Sequence, residues 1–185
     1  YLFGEETGLL EVIEGRPPFP RVTPPWRRGI DPAHPENAHS AADVQLATRD
    51  GSPSAPALVD NVETLANVPL IVEHGVAWFR EAGTDDSPGT MLCTVTGATQ
   101  RHGVGEFALG TPVGEVIETV GGGPRRDHEL RAVLSGVANP PLRAELLDTA
   151  LTYEDLAAAG SGLGSASFIV VDDSVPIVSV ALRLA

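Results

Sequence analysis

Near the start of the chain, Gly4-Glu5-Glu6-Thr7 sets two carboxylates beside a glycine. Glycine lets the backbone approach a ligand closely, and carboxylates accept hydrogen bonds from ribose hydroxyls or an amide, so this pair could hold the sugar of a nucleotide. The same acids would complement the positive end of a following helix, and the local pattern favours that simpler role. A second candidate is Asp60-Asn61-Val62-Glu63-Thr64, which puts Asn61 at a helix start where outward-pointing N–H groups favour phosphate. Here too the simpler reading is a plain N-cap, with Asp60 or Asn61 accepting from the first turn.

Other chemistries find less support. Gly160-Ser161-Gly162-Leu163-Gly164 imitates a dinucleotide fingerprint, but it follows a helical stretch instead of a strand and reads better as a turn into a strand. The histidines, His34, His39, His74, His102 and His128, are dispersed without metal-ligand spacing. No nucleophile-elbow pattern occurs, and the single thiol, Cys93, sits in an apolar strand where it reads as a packing group. One cysteine allows no internal disulfide and no cysteine-held cluster within the chain, which fits a reducing, cytoplasmic setting.

The elements that must position these residues belong to a chain of 185 residues with 42% hydrophobic and 20% charged residues, enough for one ordinary domain or two small ones. All 12 basic residues are arginine and the net charge is −13, so the surface repels phosphate backbones and nucleic acid is excluded as a partner. No apolar run reaches the ~20 residues of a membrane span. The chain opens on Tyr1 instead of Met and reads as the interior of a longer polypeptide.

The spacing of Leu9, Leu10, Val12 and Ile13 predicts a helix over 5–14 that Gly15 closes. Five prolines between Arg16 and Trp26 demand an extended loop. Residues 27–57 are polar and lack apolar periodicity, which predicts a mobile insertion. A largely apolar stripe from Val62 to Phe79 predicts a helix over 61–75 with a further turn at 76–80. The turn-rich run 82–89 reads as a domain boundary. Beyond it, strands are predicted around 91–96 and 105–109, and a helix begins at Pro112 with Thr111 as N-cap and Gly121-Gly122-Gly123 as its stop. Strands follow at 130–136 and 167–171, with short helical pieces at 142–147 and 153–159 between them. The apolar tail 175–184 begins a further helix or strand. A hairpin, a helix packed across it and then more strands is the order of a β-grasp, so the fold class is α/β (α+β).

Several short stretches, in order, resemble the NADH- and FMN-binding flavoprotein subunit of respiratory complex I (the F-subunit family of NADH-quinone oxidoreductase) and related NAD-linked hydrogenase and formate dehydrogenase subunits. They are Tyr1-Leu2-Phe3-Gly4-Glu5-Glu6-Thr7, Glu14-Gly15-Arg16, Pro20-Arg21, Pro24-Pro25, Asn61-Val62-Glu63-Thr64-Leu65 and Asn67-Val68-Pro69. Gly89-Thr90 with Gly97, Leu109-Gly110-Thr111 to Gly123, and Gly160-Ser161 with Leu163-Gly164-Ser165 continue the likeness. It covers nearly the whole chain outside the 27–57 stretch.

The resemblance implies that residues 1–86 are the C-terminal part of an FMN/NADH-binding domain, 87–173 a soluble-ligand-binding β-grasp (SLBB) domain, and 174–185 the start of a linker to an iron-sulfur domain. It implies that Tyr1, Gly4, Glu5 and Glu6 line the flavin and nicotinamide pocket and that Asn61 contacts FMN. Asp60 stands where the family has a second Asn, and an acid there would repel flavin phosphate. Trp26 replaces a stacking Phe and keeps an aromatic face. Thr23 replaces a Lys, which should weaken the hold on NADH. The implied activity of the parent is hydride transfer from NADH to FMN and onward electron transfer to iron-sulfur centres whose ligands this chain lacks. The implied partners are NADH and the other subunits of a complex I-like or NAD-linked assembly, peripheral to the inner membrane face. The competing reading is a non-catalytic β-grasp module that binds a soluble ligand or docks a partner.

Overall fold

The computed structural model describes residues 4–30, 55–136 and 139–184. These divide into two compact units, Tyr1–Pro69 and Leu70–Ala185. The 27–57 stretch predicted to be a mobile insertion falls largely outside the described residues.

In the first unit, α1 (Glu6–Ile13) follows the predicted helix and ends at Gly15, whose φ of 77° suits a residue without a Cβ. Leu10 is its buried apolar anchor. The proline-rich stretch forms an extended loop with turns at its far end. Helix α2 (Val62–His74) begins in this unit and ends in the next, and it carries Pro69 inside. A short α3 (Val76–Phe79) follows the break at Gly75, as the predicted further turn. The apolar periodicity that predicts α2 does not find a core. None of its residues is buried, and Val62 and Val72 are each 80% exposed.

The second unit is built on a sheet of β1 (Thr90–Gly97), β2 (Gly103–Ala108), β3 (Leu130–Ser135), β4 (Leu142–Arg143) and β5 (Ser167–Asp172), in the order β2-β1-β5-β3-β4. β1 and β5 run parallel at its centre, and the other pairings are antiparallel. The turn-rich run ahead of β1 closes on itself, with Thr84 N donating to Ser87 O at 2.9 Å and Gly89 N to Ala82 O at 2.8 Å. Strand alternation sends Cys93 and Val95 inward, both fully buried, which makes the thiol a packing group as the sequence suggests.

Helix α4 (Val113–Gly121) lays Val113, Val116, Ile117 and Val120 on the inner face of this sheet, the i, i+3, i+4, i+7 set that a one-sided helix buries. Gly122, in the left-handed region at φ 71°, ends it. A hairpin, a helix across it and three further pairing strands are the order that the sequence reads as a β-grasp. Thr111, however, does not cap α4. Its hydroxyl donates to Ala108 O at 2.8 Å, and Pro112 occupies the N-cap without a side-chain bond.

The segment 142–147, predicted helical, is instead the edge strand β4 followed by a 3-10 turn, Ala144–Leu146. Pro140 and Pro141 favour extended backbone, and Leu142 pairs with Val133 while its side chain, 2% exposed, fills the core. Helix α5 (Tyr153–Ala158) is capped by Thr152, which accepts from Asp155 N at 3.0 Å. The glycines at 160–164 close α5 and lead into β5, and Leu163 is buried between them, so they form the turn the sequence favours over a nucleotide loop. Gly97 explains itself by contact, since a Cβ there would run into the backbone of Val170 on β5, and its φ is 90°.

The tail forms helix α6 (Ile177–Leu184). Before it, the buried carboxylate of Asp172 accepts from Arg125 Nε (2.8 Å) and Nη2 (2.6 Å), and from Ser174 N (3.1 Å) and Oγ (2.6 Å). Burial opposes ionisation, but the Ser174 hydroxyl and the Arg125 guanidinium outweigh it and hold this carboxyl at about 2.

Two outcomes follow from this packing. Phe168, 1% exposed at the centre of the core, should cost about 3–5 kcal/mol when replaced by alanine, read as a lowered urea midpoint with unchanged slope. Because Asp172 titrates lower folded than unfolded, the stability it contributes is present above the unfolded value of 3.8 and is lost as pH falls from there towards 2. Acid titration followed by far-ultraviolet circular dichroism should show that loss, and Asp172→Asn should flatten the profile in the same window.

Candidate functional site

The first turn of α1 uses Glu5 as its own cap. The Glu5 carboxylate accepts from Gly8 N at 2.7 Å and from the Thr7 hydroxyl at 2.6 Å. The Thr7 hydroxyl bond is the leading reason that Glu5 titrates below the ordinary glutamate value. Glu6, beside it, is half-buried, and among the described residues nothing donates to its carboxylate. Gly4 is exposed, and a Cβ there would meet no atom within 4 Å, so the backbone at this point stands open. Tyr1 lies outside the described residues.

Thr7 also accepts from Arg21 N at 2.8 Å, which draws the proline-rich loop back onto α1. There Glu11 and Glu14 of α1's end meet Arg16 and Arg21 in a four-membered ion-pair network whose side chains are 4–17% exposed. Arg21 Nη2 lies 2.8 Å from Glu14 Oε2 without hydrogen-bond alignment, so that contact is one of charge. Burial works against the Glu11 carboxylate, but hydrogen bonds from Arg16 and Arg21 hold it below the ordinary value.

Arg21 reaches further, with Nη1 donating to Gly29 O at 2.6 Å and Arg28 O at 3.3 Å. Gly29 N in turn donates to Ala55 O at 2.9 Å, and Ala57 N to Pro25 O at 3.0 Å. The two ends of the 27–57 stretch are thus bonded to each other. Gly29 is needed at this crossing, because a Cβ would collide with the Ala55 carbonyl and lie 2.6 Å from Ala57 N. Trp26 is 68% exposed beside this crossing, and Thr23 is buried.

Asp60 and Asn61 are both exposed at the start of α2. Asp60 accepts from Asn61 N at 2.7 Å, and Asn61 Oδ1 accepts from Glu63 N at 2.9 Å and Thr64 N at 3.2 Å. The capping role is therefore realised, and two of the amides that could meet a phosphate are already satisfied. Asn61 Nδ2 has no acceptor among the described residues. Among the described residues, the Glu6 carboxylate and the Asn61 amide nitrogen are two polar groups at the predicted site left without a hydrogen-bond partner, an acceptor and a donor suited to hydroxyl and amide groups.

The ion-pair network escaped the sequence reading, in which Glu14, Arg16 and Arg21 figure only in the resemblance. A usable signal lies in the two acids, Glu11 and Glu14, followed by two bases, Arg16 and Arg21, across a helix end. The one grouping of metal-ligating types among the described residues is His128, Asp172 and Asp173, whose donor atoms lie within 4.8 Å of one another. The Arg125 guanidinium already supplies the positive charge there. No helix among the described residues is long and apolar enough to cross a membrane.

No protein-family model matches the chain. Curated relatives do, over its whole length. The second F subunit of NADH-quinone oxidoreductase of Rhizobium meliloti (strain 1021) is 37% identical over 185 residues, 100% of this chain and 39% of that protein. The F subunit of NADH-quinone oxidoreductase of Rickettsia bellii (strain OSU 85-389) is 34% identical over 187 residues, 100% of this chain and 40% of that protein. The protein of the same name from Mycobacterium tuberculosis (strain ATCC 25618 / H37Rv) is 35% identical, with 99% of this chain and 37% of that protein covered. Among solved structures, a chain of an NAD+-reducing NiFe-hydrogenase in the H2-reduced state superposes with a TM-score of 0.65 at 30% identity, covering 100% of this chain and 27% of that one. The chain thus resembles these F subunits from end to end and spans about two fifths of their length.

Removing one member of a buried ion-pair network leaves the others charged without partners. Arg21→Met should therefore destabilise the first unit by about 3–5 kcal/mol. Proteolysis between residues 16 and 30 should accelerate accordingly, while the second unit keeps its hydrogen-exchange protection.

Proposed function

We propose that this chain is part of an NADH-oxidising flavoprotein subunit, in which residues 1–86 complete the FMN/NADH-binding domain, 87–173 form an SLBB-type β-grasp module, and 174–185 lead towards an iron-sulfur domain. The observation that carries this reading is the 34–37% identity, from end to end, to proteins named as F subunits of NADH-quinone oxidoreductase. FMN, when bound, converts hydride acceptance from NADH into single-electron delivery to iron-sulfur centres. The chain's own residues bind and orient. The open backbone at Gly4 allows close approach, Glu6 accepts from a hydroxyl or carboxamide, and Asn61 Nδ2 donates to a ring or sugar oxygen.

This donor set suits the neutral parts of a flavin or nicotinamide nucleotide. It does not suit a phosphate, because Asn61 has capped the first turn and the Asp60 carboxylate stands beside it. The phosphate must therefore be held by other residues of the parent protein. Trp26 offers an exposed aromatic face for stacking. With Cys93 the single cysteine, and buried, the cluster ligands also belong to other residues of the parent. Its partners on this reading are NADH and the neighbouring subunits of a complex I-like or NAD-linked redox assembly.

Asp60, together with a neutral Thr23 where the family has a cation, favours a second reading, a β-grasp module that binds or docks without redox chemistry. Flavin-fluorescence titration of the whole parent protein separates the two. On the first reading FMN binds, NADH bleaches the flavin absorbance, Asn61→Ala weakens FMN about tenfold and Asp60→Asn tightens it. Absence of both binding and bleaching would leave the second reading standing.

A further inference from the structure

Beside the C-terminal end of β5 there is a groove of about 290 Å³. Its lining includes Ile169, Val170 and Val171 of β5, Gly97 and Ala98 at the end of β1, and Val175 and Val180 of the tail. Its polar end is Arg125, Asp172 and Ser174. Val180 and β5 thus line one groove, in which Val171 is already buried and Ile169 and Val180 are half-buried. Among the described residues no hydrogen bond joins 177–184 to the sheet, and Val178 and Leu182 are 66% and 75% exposed.

Among the described residues, the polar attachment of the tail to the sheet lies just before α6. Asp172 Oδ1 takes both the amide and the hydroxyl of Ser174, its Oδ2 takes Arg125, and Arg125 Nη2 also donates to Ser174 Oγ at 2.6 Å, which closes a ring of three side chains. A second staple runs beside it, with His128 Nδ1 2.8 Å from Asp173 Oδ1 and Asp173 N donating to Glu129 O at 3.0 Å. The carboxylate at the centre of the ring is 1% exposed, so water does not compete for it.

We infer that Asp172, Arg125 and Ser174 form a latch that fixes the direction in which the chain leaves β5 and keeps α6 poised over an apolar groove. The backbone at 174–176 is the hinge and α6 is the arm. Closing the arm would bring Val180 onto the half-buried Ile169, and releasing the latch would let it swing away from the sheet.

Hydrogen exchange of the full chain tests this. Ser174→Ala removes the tail's arm of the ring and leaves the Arg125–Asp172 pair in place, and Arg125→Met removes the other arm. In both variants amide exchange in 178–184 should rise about tenfold or more, because a charge-assisted bond is lost, while β1, β3 and β5 keep their protection. Unchanged exchange in 178–184 in both variants would overturn the latch. So would a uniform rise across the sheet, which would make the ring a core support, and so would complete exchange of 178–184 in the unaltered chain.

Discussion

Arg21 is the side chain on which the order of residues 4–30 depends. Its amide binds Thr7, its guanidinium meets Glu11 and Glu14, and its Nη1 reaches the carbonyls of Arg28 and Gly29. One residue thereby joins the first turn of α1, the last turn of α1 and the crossing where 25–29 meets 55–57. Leu10 is the one large hydrophobic side chain buried among the described residues of this unit, so apolar burial cannot supply that order. Polar directionality takes its place. A guanidinium offers donors in fixed geometry, and here Nε and Nη1 are answered by hydrogen-bond acceptors while Nη2 is answered by the Glu14 charge. That matching specifies one loop conformation in a stretch where the prolines alone would allow many.

The second unit relies on the opposite balance. Cys93, Val95, Val113, Val116, Ile117, Val133, Leu142, Phe168 and Val170 form a continuous apolar core between the sheet and α4, and such burial is non-directional. Its one buried charge among the described residues, Asp172, sits at the end of the central strand, where the sheet gives way to the tail. There the directional contact decides where the chain goes next, and the apolar core decides that the sheet exists.

Capping and ligand binding compete for the same atoms at both predicted site stretches. Glu5 is committed to Gly8 and Thr7, and the Asn61 oxygen to Glu63 and Thr64. Each pair of adjacent polar residues divides the work. One side chain orders the helix start, and its neighbour, or its other end, stays available to a ligand.

The one-sided periodicity of 113–120, the alternation at 91–96 and the glycine stops were legible in the sequence, because each is set by neighbours within a few residues and by whether a side chain faces water. The helix at 62–74 was equally legible, yet its apolar stripe stays exposed, since periodicity records a preference for a face and not what covers it. Three features came only from the tertiary structure. The strand at 142–143 exists because Val133 lies alongside it, the closure of 27–57 because Gly29 meets Ala55, and the Asp172 ring because residue 125 returns to residue 172. Those contacts are made between segments far apart in the chain, and no local pattern encodes which distant partner a donor, a carboxylate or an edge strand will meet.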